Sequence, residues 1–243
     1  MSRSKYIKWG LWLITFLLIA VMTVIFSLAK GEIDIPLSKI YNILINRNND
    51  LEYTVLKEIR LPRIILGLSV GGALSLAGVI LQGIYRNPLV EPYTLGISGG
   101  AALGVAFAIV AGLNFSVGSF MLPASGFVGA LITVFLVYIL SVRKGKIHTQ
   151  NMLLIGVMVS FIASSAIMFI MATTTNENLH NIVFWVMGSL DETNKDLIKV
   201  AVIVSMLCLL ISYIFIDPLN ALRLGEDKAR HLGINTDLSI KLL

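Results

Sequence analysis

Arg60 and Arg63 stand three residues apart at the entry to a long apolar run, with Pro62 between them as an early helical residue whose missing N–H costs nothing. Two guanidinium forks presented to one region suit bidentate recognition of carboxylates. Interfacial anchoring, with the aliphatic stems lying along the helix end, is the other use of such a pair. A second constellation lies near the end of the chain, where Gly225-Glu226-Asp227-Lys228-Ala229-Arg230-His231-Leu232-Gly233 reads as a short capped helix. Acids occupy its first turn, Arg230 and His231 its last, and Gly233 takes the C-cap, all favourable to the helix dipole. Ala229 and Leu232 fall on one face that fits a partner's groove, with Leu222 and Leu224 leading in. Recognition between proteins is one use of both constellations, a solvated surface helix is the other use of the second, and neither calls for covalent chemistry.

Catalytic chemistry finds nothing to work with. No Asp or Glu lies inside an apolar run, and His148, His180 and His231 lie in or beside loops. A proton-coupled transporter or a membrane-embedded hydrolase needs such groups at depth. Cys208 is the single cysteine, which excludes disulfides and Cys-based metal sites within one chain. The Gly-x-x-x-x-Gly-Lys-Ser/Thr phosphate loop is absent. The reading is therefore of a non-enzyme with no catalytic residue, no metal site and no cofactor of its own.

The elements that must hold these constellations are membrane helices. The chain has 243 residues, 56% of them hydrophobic and 14% charged. No formal charge occurs between Glu91 and Arg143, or between Lys146 and Glu177. Crossing a hydrocarbon core takes about 20 apolar residues. Spans are accordingly expected near Trp9 to Ala29, Ile64 to Ile84, Tyr93 to Ala111, Phe120 to Val142, Asn151 to Met171 and Val200 to Ile216. The fold class is all-α, a polytopic helical bundle, with no boundary between domains. The apolar core of the first run is too long for a cleaved signal and is read as a retained helix. Lys/Arg counting places the N-terminus on the cytoplasmic side, a preference carried by the basic tail and by Arg143-Lys144-Gly145-Lys146. The net charge of +5 needs no nucleic acid to explain it.

Small residues recur at helical spacing inside the spans: Gly67, Gly71 and Ser75, then Gly96, Gly100 and Gly104. Such rows let helix backbones approach closely in a solvent that supplies no hydrophobic drive, and they also make a smooth pathway wall. Gln82 is the main polar group of the second span, either an interhelical hydrogen-bond anchor or a cargo contact. In Arg86-Asn87-Pro88-Leu89-Val90-Glu91-Pro92 the prolines forbid a continuous helix, so Asn87 and Pro88 start a turn. That turn either sets the angle between two helices or contributes to an inner gate. Gly112-Leu113-Asn114-Phe115-Ser116 reads as another turn, and Pro218 as the stop of the sixth span. A short amphipathic helix is expected around Leu37 to Ile45. Trp185 is expected in an interfacial helix near the outer mouth, at headgroup level.

Taken in order, the blocks Arg60-Leu61-Pro62-Arg63, Leu81-Gln82-Gly83, Arg86 to Pro92, Leu95 to Ala101, Trp185 to Leu190 and Leu224 to Gly233 resemble one family. It is that of the iron-siderophore and cobalamin (FecCD-type) importer permeases, membrane subunits of type II ABC importers. The resemblance implies a multi-pass protein of a bacterial plasma (inner) membrane and a dimer with a second permease, identical or different. It also implies an ABC ATPase subunit that supplies ATP and Mg, and an extracytoplasmic substrate-binding protein. Arg60 and Arg63 would receive acidic residues of the binding protein. Residues 220–235 would form the loop whose coupling helix docks on the ATPase. The implied cargo is an iron-siderophore-type chelate, with cobalamin or haem as alternatives. Members of the family continue through about ten spans, so the chain reads as C-terminally incomplete. A truncated, non-transporting scaffold or receptor is the alternative from another class.

Overall fold

A computed structural model describes residues 3–45, 51–113, 118–143, 146–147 and 149–242. Asn114 to Ser116 of the expected turn, as well as Lys144, Gly145 and His148, lie outside the described residues. Packing separates the chain into two compact units, 1–68 with 190–202 and 69–189 with 203–243, where the sequence offered no boundary.

The first unit begins with α1 (Arg3–Ala29), apolar around its whole circumference and with none of its apolar window buried in protein. A helix of that kind makes sense only in lipid. The expected amphipathic helix is α2 (Leu37–Ile45), with Ile40 inward and Tyr41 and Ile45 outward. Ile35, Ile40 and Leu56 form the unit's core, flanked by Leu28, Ala29, Ile43 and Leu61. Helix α3 (Leu51–Tyr85) starts earlier than the apolar run alone suggests, and its segment Val55–Arg60 is π-helical. There the Leu61 N–H donates to the Leu56 carbonyl, five residues back. The wider turn brings Leu56 and Arg60 together on the buried side.

The second unit is centred on α4 (Ile97–Val110), against which α5 (Met121–Ser141), α6 (Thr149–Thr173) and α7 (Asn176–Met187) pack. The continuous span expected over Tyr93 to Ala111 is not formed. Pro92–Leu95 is one turn of 3₁₀ helix, Gly96 has φ +80°, and α4 itself has 14 residues. Its rise of about 21 Å falls short of a hydrocarbon core. Among the described residues five helices, not six, are long and apolar enough to cross a membrane. The short one is also the one enclosed by protein, with Gly100, Val105, Ala106, Ala108 and Ile109 buried. Val105, Ala106 and Ile109 join Ile182 of α7 in the second core.

The glycines explain the tightness. A Cβ on Gly104 would lie 2.5 Å from the Ser125 carbonyl oxygen, and one on Gly100 would lie 2.8 Å from that of Gly129 and collide with Thr133. Ser125, Gly129 and Thr133 are themselves four apart, so α4 and α5 meet along two matched rows of small residues. On the other side, a Cβ at Gly156 of α6 would meet the Thr94 carbonyl oxygen at 2.6 Å. The row on α3 behaves differently. Among the described residues nothing lies within 4 Å of a Cβ on Gly71, and Gly67 meets only Leu190 at 3.7 Å.

Helix α8 (Lys195–Ile214) ends at Phe215, ahead of the proline expected to stop it. Pro218 lies instead in the first turn of α9 (Ile216–Leu222), where no intrahelical N–H is needed. Two short helices follow, α10 (Glu226–His231) and α11 (Thr236–Leu242). The one departure from an all-α chain among the described residues is a two-residue antiparallel ladder, β1 (Val142–Arg143) with β2 (Lys146–Ile147).

Candidate functional site

The two arginines at the start of the second span have different surroundings. Arg60, expected beside Arg63 as a docking group, is 8% exposed and donates to the Leu28 carbonyl oxygen at 2.5 Å and to that of Ile33. Leu28 is in the last turn of α1, whose terminal carbonyls have no intrahelical partner, so the guanidinium caps that helix and favours its dipole. Gly31 is explained by the same contact, since a Cβ there would lie 2.6 Å from Arg60 Nη2. Arg60 is therefore an internal clamp.

Arg63 is half exposed and donates to Asp191 Oδ1 at 2.6 Å, while Lys195 pairs with Glu58 at 2.6 Å. Exposed pairs of this kind contribute about 0–1 kcal/mol each. They fix an orientation without locking it. In the loop after α1, the Lys30 ammonium donates to Asp34 at 2.6 Å and holds its carboxyl below the ordinary carboxylate value.

In the second unit, the turn after α3 is built by Arg86 and Asn87. Arg86 has φ +50°, Asn87 Oδ1 accepts from the Leu89 N–H at 3.0 Å, and the Val90 N–H donates to the Asn87 carbonyl at 3.3 Å. Pro88 follows in the turn and Pro92 opens the 3₁₀ segment. The end of α3 and the last helices share a core of Ile84, Ala221, Leu222 and Ala229, with Ile80, Tyr85, Leu219, Ile234 and Ile240 packed on it. Two turns of α10 would be unstable alone in water; here they are seated on the end of α3.

The ends of α10 are set by glycines. Gly225 precedes it at φ +111°, with Arg86 Nη1 3.2 Å from where a Cβ would stand. Gly233, at φ +83°, donates to the Arg230 carbonyl while Ile234 donates to that of Ala229, the pair of bonds of a Schellman motif. Arg230 Nε donates to the buried Thr236 hydroxyl at 2.9 Å, tying α10 to α11. One expectation is corrected by this packing. Ala229 and Leu222, assigned to a partner's groove, are 0% and 1% exposed because their own chain covers them, whereas Leu224 and Leu232 are 58% and 63% exposed. The side chain of Glu226 lies outside the described residues.

Gly96, Gly100 and Gly104 are at helix crossings, as described, whereas Gly71 is open. Gln82 is exposed and lines a groove with Gly83, Arg86, Asn87 and Pro88. Trp185 packs inward: its ring lies 3.3 Å from a Cβ position on Gly126, and it adjoins the Val105–Ile182 core instead of projecting at a mouth. The exposed aromatic of α7 is Phe184, whose ring centre is 4.3 Å from that of His180. Sequence reasoning missed the α5 partners Ser125, Gly129 and Thr133, although their spacing of four was there to be read. Among the described residues no three His, Cys, Asp or Glu side chains gather to hold a metal ion.

The sequence pattern of the FecCD transport family matches residues 17–243. The chain belongs to the FecCD transport family. Within that family it is similar to the cobalamin import system permease protein BtuC of Halobacterium salinarum, 34% identical over 76% of this chain and 49% of the relative. It is similar also to the iron(3+)-hydroxamate import system permease protein FhuG of Bacillus subtilis, 33% identical over 95% of this chain and 69% of the relative. Among solved structures it resembles a metal-chelate type ABC transporter in an inward-facing conformation. That match has a TM-score of 0.78 and 31% identity, covering 93% of this chain and 69% of the other. The FecCD chain thus spans from about half to about seven-tenths of the length of these relatives. Membership and the five long apolar helices make it a multi-pass membrane protein.

Proposed function

We propose that the chain is the permease subunit of a binding-protein-dependent ABC importer in a bacterial plasma membrane, with its N-terminus cytoplasmic. Its cargo is an iron-siderophore-type chelate, and a partner ATPase hydrolyses the ATP. The observation that carries this reading is α10: a two-turn helix fixed at both ends by glycines, seated through Ala229 on the end of α3, and leaving Leu224 and Leu232 outward. A helix held that firmly moves with the body beneath it, so a push on Leu224 and Leu232 reaches the turn at Arg86 to Pro92. Arg63 is the docking group for an acidic residue of the binding protein, exchanging Asp191 for it. A second permease completes the pathway, and Gly71 belongs to the face that it or the pathway covers. Cobalamin import by the same cycle is the second reading, favoured by the similarity to the Halobacterium protein.

The test is reconstitution with an ATPase and a binding protein of the same importer class from the same organism. Leu232→Asp with Leu224→Asp should abolish transport-linked ATP turnover and release the ATPase on gel filtration, and Arg63→Glu should weaken only binding-protein association. Undiminished transport in the double leucine variant overturns the coupling role.

A further inference from the structure

The groove between the end of α3, the turn after it and α9 encloses about 580 Å³ and is lined by Val79, Gln82, Gly83, Arg86, Asn87, Pro88, Ile216, Leu219, Asn220 and Arg223. Its polar lining consists of two guanidiniums and three amides, with no carboxylate. Among the described residues neither Arg86 nor Arg223 forms an ion pair. Asn87 Oδ1 already accepts from the Leu89 N–H, and its NH₂ adds two donors to the groove. Gly83 lets α9 approach, since a Cβ there would already touch Leu219 at 3.4 Å and the Arg223 stem at 3.8 Å. The Arg86 guanidinium lies over Gly225, with Nη1 3.2 Å from where a Cβ there would stand. A concave surface carrying two guanidiniums that form no ion pair among the described residues, beside low-dielectric walls, concentrates anions.

From this lining we infer that the groove binds a phosphate-class oxyanion. The grading of its walls points to a phosphodiester headgroup as the source. Arg86 and Asn87 lie at the end of α3, whereas Val79 lies seven residues earlier, about 10 Å further along the helix. Val79 and Ile216 are exposed apolar residues there. A headgroup among the donors with an acyl chain along Val79 and Ile216 matches that order, whereas a free phosphate leaves most of the volume unfilled. The bound lipid would also neutralise Arg86 beside Gly225, and so would bear on the start of α10. The site does not depend on the import reading, because every lining residue belongs to this chain.

The test uses the full chain, purified alone in a neutral detergent. Retention of dioleoylphosphatidylglycerol is compared with that of dioleoylphosphatidylcholine by native mass spectrometry, with inorganic phosphate and glycerol 3-phosphate as soluble competitors. Phosphatidylglycerol should bind at least about tenfold more tightly than phosphatidylcholine. Arg86→Gln and Arg223→Gln should each cost about fivefold, the expected effect of one basic residue at an anionic headgroup. Asn220→Asp puts a carboxylate in the groove and should weaken binding with both arginines present, which guards against misfolding of an arginine variant. Lys5→Gln, on α1, should change nothing. Arginine-dependent binding of the soluble phosphates without preference for phosphatidylglycerol supports the oxyanion site with a soluble source. Binding that ignores Arg86, Arg223 and Asn220, or no discrimination between the lipids and no phosphate binding, overturns it.

Discussion

Replacing Gly104 by alanine adds one methyl group, and the structure says where it must go. The new Cβ would stand 2.5 Å from the Ser125 carbonyl oxygen and 3.2 Å from Gly129 Cα. Ordinary contact begins near 3.4 Å, so α4 and α5 must part by about 0.9 Å, enough to forfeit a quarter to a half of each dispersion contact along the crossing. The obstacles are backbone atoms, which do not swing aside as a side-chain tip would. Overpacking costs about 1–3 kcal/mol, and alanine returns about 1 kcal/mol in helix propensity. Because the backbone cannot yield, the expected net loss is about 2 kcal/mol. Gly71→Ala, with nothing within 4 Å, keeps the propensity gain and should leave the isolated chain as stable or up to about 1 kcal/mol more so. Both variants can be read by SDS-titrated unfolding of the purified chain in mixed micelles, followed by tryptophan fluorescence. Equal midpoints for Gly104→Ala and Gly71→Ala would refute the assignment of the α4–α5 crossing as the tight contact.

Arg60→Gln should cost about 2–3 kcal/mol in the same unfolding assay, because two carbonyls of a buried cap lose a charged donor, while Arg63→Gln should cost less than about 1 kcal/mol. Gly225→Ala and Gly233→Ala should both speed amide exchange in α10. Gly225 gives the larger effect, of about 1–3 kcal/mol, since its φ of +111° with ψ 148° suits only glycine and a Cβ also meets Arg86. The Asp34 carboxyl should titrate below the ordinary carboxylate value in a carbon-detected NMR series and rise in Lys30→Met. Since its folded value is depressed, the stabilisation exists above the unfolded value and fades as pH falls through the folded one.

Helix α2 and the caps of α10 were legible because their signals are local: apolar residues three to four apart over nine residues, or a glycine where the chain must turn left-handed. Arg60 was not, since its partners are 27 and 32 residues away and it reaches them only from a π-turn that the sequence does not announce. Gly71 and Gly104 look alike in sequence, each in a row spaced by four, yet one faces open space and the other a backbone. What separates them is whether another helix carries a matching row, which is a property of the pair. Leu222 and Ala229 were given to a partner for a related reason. An apolar face says that something covers it, and here the end of α3 arrives first.

The π-turn at Val55–Arg60 leaves a constraint on how this chain can change length. Losing one residue there would restore ordinary hydrogen bonding and gain local stability. It would also swing everything before the turn by about 100° against the rest of the helix, breaking Arg60's alignment with the end of α1 or Arg63's with Asp191. Insertions and deletions are therefore expected to avoid residues 51–60. A segment selected for its count as much as for its composition would show up as a stretch of unvarying length among variable letters.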